Sequence, residues 1–161
     1  VVEIGSWQGK STFCLAKGIR SGKLYAIDPF NADAGFDTQS EKDYFDGKVG
    51  NDLLTVFQNN IRRLNVASKI VTKKGYSYDF PDEFTAINFL FIDGDHSIEG
   101  CLNDYKLYAH KVVKGGFIAF HDYYNNRPEL GPTHVVNQII NKSNDFVFYK
   151  LYDSLWIGIK S

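Results

Sequence analysis

The chain has 161 residues, 43% of them hydrophobic and 16% aromatic, which is enough for one globular domain with a substantial core. Its charges are interspersed and sum to -1, so it lacks the basic footprint of a protein that binds DNA or RNA. No apolar stretch approaches the roughly 20 residues that span a bilayer, and no charged-then-apolar leader precedes the first predicted strand, so a cytoplasmic protein without a membrane partner is expected.

Val1-Val2-Glu3-Ile4 reads as the inside of a strand, and the chain contains no methionine. The expectation is a single domain over residues 1–161 whose natural chain begins upstream of Val1. Apolar runs bounded by Gly, Asp or Pro alternate with segments of helical period, the pattern of βαβ units around a parallel sheet. Strands are predicted at Val1–Ile4, Lys23–Ile27, Lys69–Lys73, Ile87–Ile92 and Phe117–Phe120, and helices at Lys10–Arg20, Asp52–Leu64 and Ser97–Val112. The third helix has the clearest period, with Ile98, Cys101, Leu102, Tyr105, Tyr108, Ala109 and Val112 on one stripe. Asn31–Gly50 reads as a long loop with a helical turn near Glu41–Phe45, of a length often found in functional lids. A polar loop at Asp122–Pro132 leads to a predicted helix at His134–Asn141. Two aromatic-rich runs follow, Phe146–Tyr152 and Leu155–Lys160, and only Asp153-Ser154 separates them, which demands a tight hairpin. The fold class is therefore α/β, a doubly wound, Rossmann-like, mostly parallel sheet of seven strands that ends in an antiparallel hairpin. Cys14 and Cys101 fall in apolar helical segments and read as reduced core residues, not as a disulfide or metal knuckle.

Chemistry-bearing residues cluster at strand ends. Glu3-Ile4-Gly5-Ser6-Trp7-Gln8-Gly9 leaves a strand and enters a helix, so glycine permits a sharp turn and the helix start offers unpaired N–H groups. A dinucleotide site would show G-x-G-x-x-G; here the glycines stand four apart with an acid two before the first, which favours a methyl donor over NAD. Asp28 ends the next strand about 20 residues after the glycines, where an acid can accept both ribose hydroxyls. An Asp before Pro is also an ordinary turn opener. Asp93 and Asp122 end adjacent strands on one sheet edge, with Asp95 close by, and converging carboxylates suit a hard divalent cation. The plainer alternative is that Asp93 and Asp95 cap the helix that follows. His110 and His134 lie in predicted helices and read as structural.

Phe91-Ile92-Asp93-Gly94-Asp95-His96-Ser97 and Gly115-Gly116-Phe117-Ile118-Ala119-Phe120-His121-Asp122-Tyr123 complete an ordered set of four motifs. As a set, from Val1 to about Phe120, they resemble class I S-adenosylmethionine-dependent methyltransferases, in the branch of macrolide-sugar O-methyltransferases and cephalosporin-hydroxylase-like proteins, with catechol O-methyltransferase more distant. The resemblance implies that Glu3, Gly5 and Gly9 shape the methionine-binding turn, with Ser6 and Trp7 lining it. Trp7 stands where the commonest pattern has a glycine. It further implies that Asp28 holds the ribose, that Tyr76 and Ser77 contact adenine, and that Asp93 borders the cofactor. Asp93, His121 and Asp122 match a metal set; His121 is the unusual member, because imidazole suits Mn, Fe or Zn better than Mg. His96 matches the position of a general base, a histidine in the macrolide-sugar enzymes.

The function implied is O-methylation of a hydroxyl on a small molecule or sugar, assisted by a divalent metal. No D/N-P-P-Y/F follows the fourth predicted strand, as the amino-methylating DNA enzymes would require. The alternative is a non-catalytic or hydroxylase-like nucleotide-binding member of the same fold. The acceptor and the oligomeric state are not written in these motifs.

Overall fold

The computed structural model describes residues 1–31 and 52–161; apart from Asn31, the predicted loop at 31–50 and its helical turn lie outside the described residues. The strands are β1 (Val2–Ile4), β2 (Leu24–Asp28), β3 (Ile70–Lys74), β4 (Ile87–Ile92), β5 (Val112–Phe120), β6 (Phe146–Tyr152) and β7 (Leu155–Lys160). They form one sheet in the order β3-β2-β1-β4-β5-β7-β6. β3, β2, β1, β4 and β5 pair in parallel, and β7 runs antiparallel to both β5 and β6. A doubly wound parallel sheet closed by an antiparallel hairpin is the architecture expected from the sequence. No helix among the described residues is long and apolar enough to cross a membrane.

Helix α1 (Lys10–Gly18) and helix α2 (Leu53–Arg63) cover one face of the sheet. Ala16 of α1 and Leu53, Phe57 and Ile61 of α2 pack with Leu24 and Ala26 of β2. Leu53, Phe57 and Ile61 recur every fourth residue, so one stripe of α2 meets the sheet. Asp52 caps α2 by accepting from the Thr55 amide at 3.1 Å, and Arg62 and Arg63 lie at its negative end. Helix α3 (Ile98–Tyr108) covers the other face, where Cys101, Tyr105 and Tyr108 pack with Ile27, Leu90, Ile92, Ile118 and Phe120. Strand alternation explains the split, because successive side chains of β2 point to opposite faces.

Four sequence readings need correction. α1 ends at Gly18, two residues short of Arg20. α3 ends at Tyr108 and passes through a 3-10 turn (Ala109–Lys111), so Val112 opens β5 instead of closing a helix. β5 is longer than Phe117–Phe120, because its start pairs Val112 with Ile87 before the register slips and resumes at Phe89 and Phe117. The Gly115-Gly116 pair, which resembles a turn, is absorbed in that irregularity. His134–Asn141 is also not one α-helix: a short turn α4 (Gly131–His134) continues as a π-helical stretch (Val135–Ile139) and a 3-10 turn (Ile140–Lys142).

Candidate functional site

The parallel strands β1, β2, β4 and β5 finish on one edge of the sheet, the edge where ligands bind in open α/β folds. A cavity of about 670 Å³ opens there, walled by the turn after β1 and by the ends of β2 and β4. Gly5 has φ +84°, and a Cβ at this position would stand 2.0 Å from the Asp93 carbonyl oxygen. Only glycine allows the turn after β1 to lie against the end of β4 so closely. Trp7, at φ 42°, lines the cavity next to it.

Asp28 holds this turn. Its Oδ2 accepts the amides of Ser6 at 2.9 Å and Trp7 at 2.8 Å, and its Oδ1 accepts the amide of Phe30 at 2.6 Å. Burial raises its pKa above the ordinary value against the pull of those three amides. A carboxylate has about four acceptor positions, so this one retains capacity for a ligand hydroxyl while bracing the backbone. Replacing Asp28 by alanine is therefore expected to weaken binding of S-adenosylhomocysteine by about 1–3 kcal/mol and also to lower the melting temperature. Calorimetry paired with thermal melts checks both, and an unchanged affinity would separate Asp28 from the ligand.

Glu3 lies beneath the turn and is 0% exposed. Its Oε2 accepts the hydroxyls of Ser6 at 3.0 Å and Thr12 at 2.6 Å, tying β1 to α1. Burial pushes its carboxyl up to about 7. Gly9 is the left-handed residue that opens α1, and its amide donates to Ser6 O at 2.8 Å. Of the residues expected to form the turn, Gly5, Ser6 and Trp7 face the cavity, whereas Glu3 and Gly9 support it from behind.

The cavity's other end collects two carboxylates and two imidazoles. His121 Nδ1 lies 3.1 Å from Asp93 Oδ1 and 3.2 Å from Asp122 Oδ2. His96 Nε2 faces the same two oxygens at 3.5 and 3.4 Å. One ligand atom each from Asp93, His96 and Asp122 lie within 4.8 Å of one another, a grouping able to hold a metal ion. Asp122 adopts φ 54°, a left-handed conformation uncommon for a residue other than glycine, and it aims the end of β5 into this cluster. Asp122 first, then Asp93, hold the His121 imidazole up to about 10, and His121 in turn lowers the carboxyl of Asp122. His121 is within ion-pair distance of both acids yet in hydrogen-bond geometry with neither. Asp95 stays outside the cluster: its Oδ1 accepts the Ser97 amide, and Ser97 caps α3 through the Gly100 amide. The side chain that caps α3 is thus Ser97; Asp95 holds the Ser97 amide, and Asp93 takes part in neither of these hydrogen bonds.

His96 is fixed through its backbone, since the Gly131 amide donates to His96 O at 2.8 Å. A Cβ on Gly131 would stand 2.3 Å from Ser97 O, so α4 can seat against this loop only with glycine. Tyr76 and Ser77 follow β3 and line the cavity. Ser77 also donates to Asp104 of α3, a buried acid that sequence reasoning did not single out. Its signal was an acid inside the apolar stripe of Cys101, Tyr105 and Tyr108. Cys101 is buried as expected, but Cys14 is exposed and lies at the cavity wall, because α1 turns that position away from the sheet.

Fold and edge site together define a Rossmann-like protein of the methyltransferase type. The profile of the family described as "Methyltransferase domain" matches residues 2–123, and the chain belongs to this family. Uncharacterized protein R132 of Acanthamoeba polyphaga mimivirus is 34% identical over 148 residues, covering 86% of this chain. The chain spans 58% of the length of that curated relative. Among solved structures, the O-methyltransferase NovP has a similar fold, with a TM-score of 0.75 at 16% identity over 100% of this chain and 71% of its own. The O-methyltransferase TomG of Streptomyces achromogenes, solved in complex with S-adenosylmethionine, gives 0.70 at 13% identity over 99% of this chain and 72% of its own.

Proposed function

We propose that the protein transfers a methyl group from S-adenosylmethionine to a hydroxyl oxygen of a small molecule or sugar. The observation that carries this reading is the convergence, in one cavity, of the Asp28-braced turn after β1 with the Asp93, His96, His121 and Asp122 cluster. The description of NovP and TomG as O-methyltransferases, and the cofactor bound to TomG, support it.

The sulfonium methyl is already activated, so the protein's task is alignment and acceptor activation. An oxygen lone pair of the acceptor forms the new O–C bond as the C–S bond breaks, leaving S-adenosylhomocysteine. The hydroxyl proton passes to His96 Nε2, which faces Asp93 and Asp122 in the same cluster. The donor set also fits a divalent cation, because the Asp93 and Asp122 carboxylates converge beside two imidazoles, and no Lys or Arg joins them among the described ion pairs. Asp93 and Asp122, with the His121 imidazole, would hold such an ion, which would supply charge that acidifies the acceptor hydroxyl while His96 serves as the base. Mn, Fe and Zn suit an imidazole-containing set better than Mg.

Titration of the protein with S-adenosylhomocysteine and S-adenosylmethionine by calorimetry tests the cofactor, with NAD as the competitor expected to displace neither. Asp93→Asn and Asp122→Asn are each expected to abolish Mn²⁺ binding, followed by spectroscopy of the ion itself, while leaving S-adenosylhomocysteine binding nearly intact. Lack of affinity for either cofactor form would make the chain a bystander member of the fold. Full methyl transfer by chelator-treated protein would remove the metal from the scheme.

A further inference from the structure

β6 is the outermost strand of the sheet and pairs with β7 on one side only. Six of its seven residues are apolar or aromatic, and Lys150 is the exception. Phe146 is buried, yet Val147, Phe148, Tyr149, Leu151 and Tyr152 are between 45% and 63% exposed. They leave the strand on both sides of the sheet. Phe148 reaches back toward Trp156 of the α3-side core, with ring centroids 6.1 Å apart. Tyr149 lies on the other face, edge-on to Phe117 at 5.6 Å, and Phe117 meets Phe89 at 6.5 Å. Of β6, only Phe146 joins a core cluster, and the core under α1 and α2 holds no residue of β4, β5, β6 or β7. An edge strand that met only water would carry polar or charged groups on both faces.

The edge already resists open-ended strand addition. Its register slips between Phe148 and Lys150, a bulge that breaks a regular outer ladder, and Lys150 is the kind of charge that blunts edges. Neither device removes the apolar surface. At these exposures the five side chains present roughly 500 Å² per chain, taking about 150–250 Å² for each aromatic. Two such patches bring together roughly 1,000 Å², the area that a specific interface should reach. The patch bears one charge, which is already engaged, because Lys150 Nζ lies 4.7 Å from the centre of the Tyr152 ring. The complement of such a surface is another neutral, aromatic one, and the same strand of a second copy supplies it.

We propose that β6 is the centre of a two-fold interface between two copies of this chain, in which Val147, Phe148, Tyr149, Leu151 and Tyr152 of each copy pack against those of the other. Because the same patch is used on both sides, the contact closes at two copies and leaves no apolar edge to extend. It lies at the opposite end of the sheet from β3, and none of its residues lines the cavity.

Sedimentation velocity and light scattering over a dilution series test the interface. Wild-type protein is expected at twice the monomer mass when concentrated and at the monomer mass when dilute. Val147→Lys, at the most exposed of the five positions, sets like charges on the two sides of the axis and is expected to raise the dissociation constant at least about tenfold. The melting temperature of the dilute protein should not change. Tyr152→Lys repeats the test should Val147→Lys fail to fold. Hydrogen exchange locates the contact: amides of β6 should gain protection on concentration, whereas those of β3, the opposite edge, should not. Protein that is monomeric throughout overturns the proposal, and its flotation with phosphatidylcholine vesicles would give the strand to a lipid surface instead. A dimer that both variants leave intact, or one that forms without added protection in β6, overturns it as well. Particles that grow beyond two copies with concentration overturn the closed two-fold contact.

Discussion

Replacing His96 by alanine is expected to lower methyl-transfer turnover by about 10²–10⁴-fold with little change in S-adenosylhomocysteine affinity. The expectation follows from where the imidazole is held. Its Nε2 faces Asp93 and Asp122 at 3.5 and 3.4 Å, so an acceptor hydroxyl brought to those acids is also brought to the base. Its backbone is held by the Gly131 amide, which donates to His96 O and fixes where the side chain leaves the loop. The cofactor turn, by contrast, is braced by Asp28 and Glu3, and neither touches His96 through any hydrogen bond described. Binding and chemistry should therefore separate in this variant. Added imidazole should restore part of the lost turnover, because a small diffusible base fits the space the side chain leaves. His121 is the control: its Nδ1 lies closer to both acids, and His121→Ala should change metal affinity without imidazole rescue. A His96→Ala protein that keeps wild-type turnover on its true acceptor would reduce His96 to a residue of the loop before α3.

Much of this site is legible in the sequence because parallel strands place their last residues on one edge. Once β1, β2, β4 and β5 are recognised by their apolar runs, Gly5, Asp28, Asp93 and Asp122 must lie near one another, whatever the loops do. What escaped is set by contacts across the fold that local patterns do not encode. The start of β5 was hidden because Lys114-Gly115-Gly116 has the composition of a turn, and only pairing of Val112 with Ile87 draws it into the sheet. Cys14 was expected inside because its neighbours are apolar, yet the narrow contact stripe of α1 buries Thr12 and Ala16 and leaves Cys14 out. Asp104 was invisible for the opposite reason: its position reads as core, and its partner Ser77 is 27 residues away. The two imidazoles show the same limit. The motifs place His96 and His121 near the acids, but only the folded chain shows both rings facing the same pair of oxygens.

Glu3 gives a test of the turn that needs no ligand at all. Its carboxyl is at about 7 in the folded protein against an ordinary value of 4.5, because β1 is central in the sheet and burial penalises the charged form more than the hydroxyls of Ser11, Thr12 and Ser6 favour it. A folded value above the unfolded one means that the unfolded chain ionises first. The contribution to stability is therefore full below about 4.5, declines as pH rises, and is lost once pH has passed through about 7. A displacement of this size corresponds to about 3 kcal/mol. Glu3→Gln keeps the shape and the acceptor oxygen for both hydroxyls, and it cannot ionise. Its amide places donors where Oε1 now lies without a partner, so near pH 5 the variant is expected to be no more stable than wild type. As pH rises from 5 to 8.5, wild type should lose stability that Glu3→Gln retains, and the difference between them should move by about 2.5 kcal/mol in favour of the variant. Asp104, also held up to about 7, titrates in both proteins and cancels from that difference. Chemical denaturation across this range measures it directly. Parallel stability curves for the two proteins would mean that Glu3 is ionised in the fold at neutral pH, and that the Ser11, Thr12 and Ser6 hydroxyls outweigh its burial.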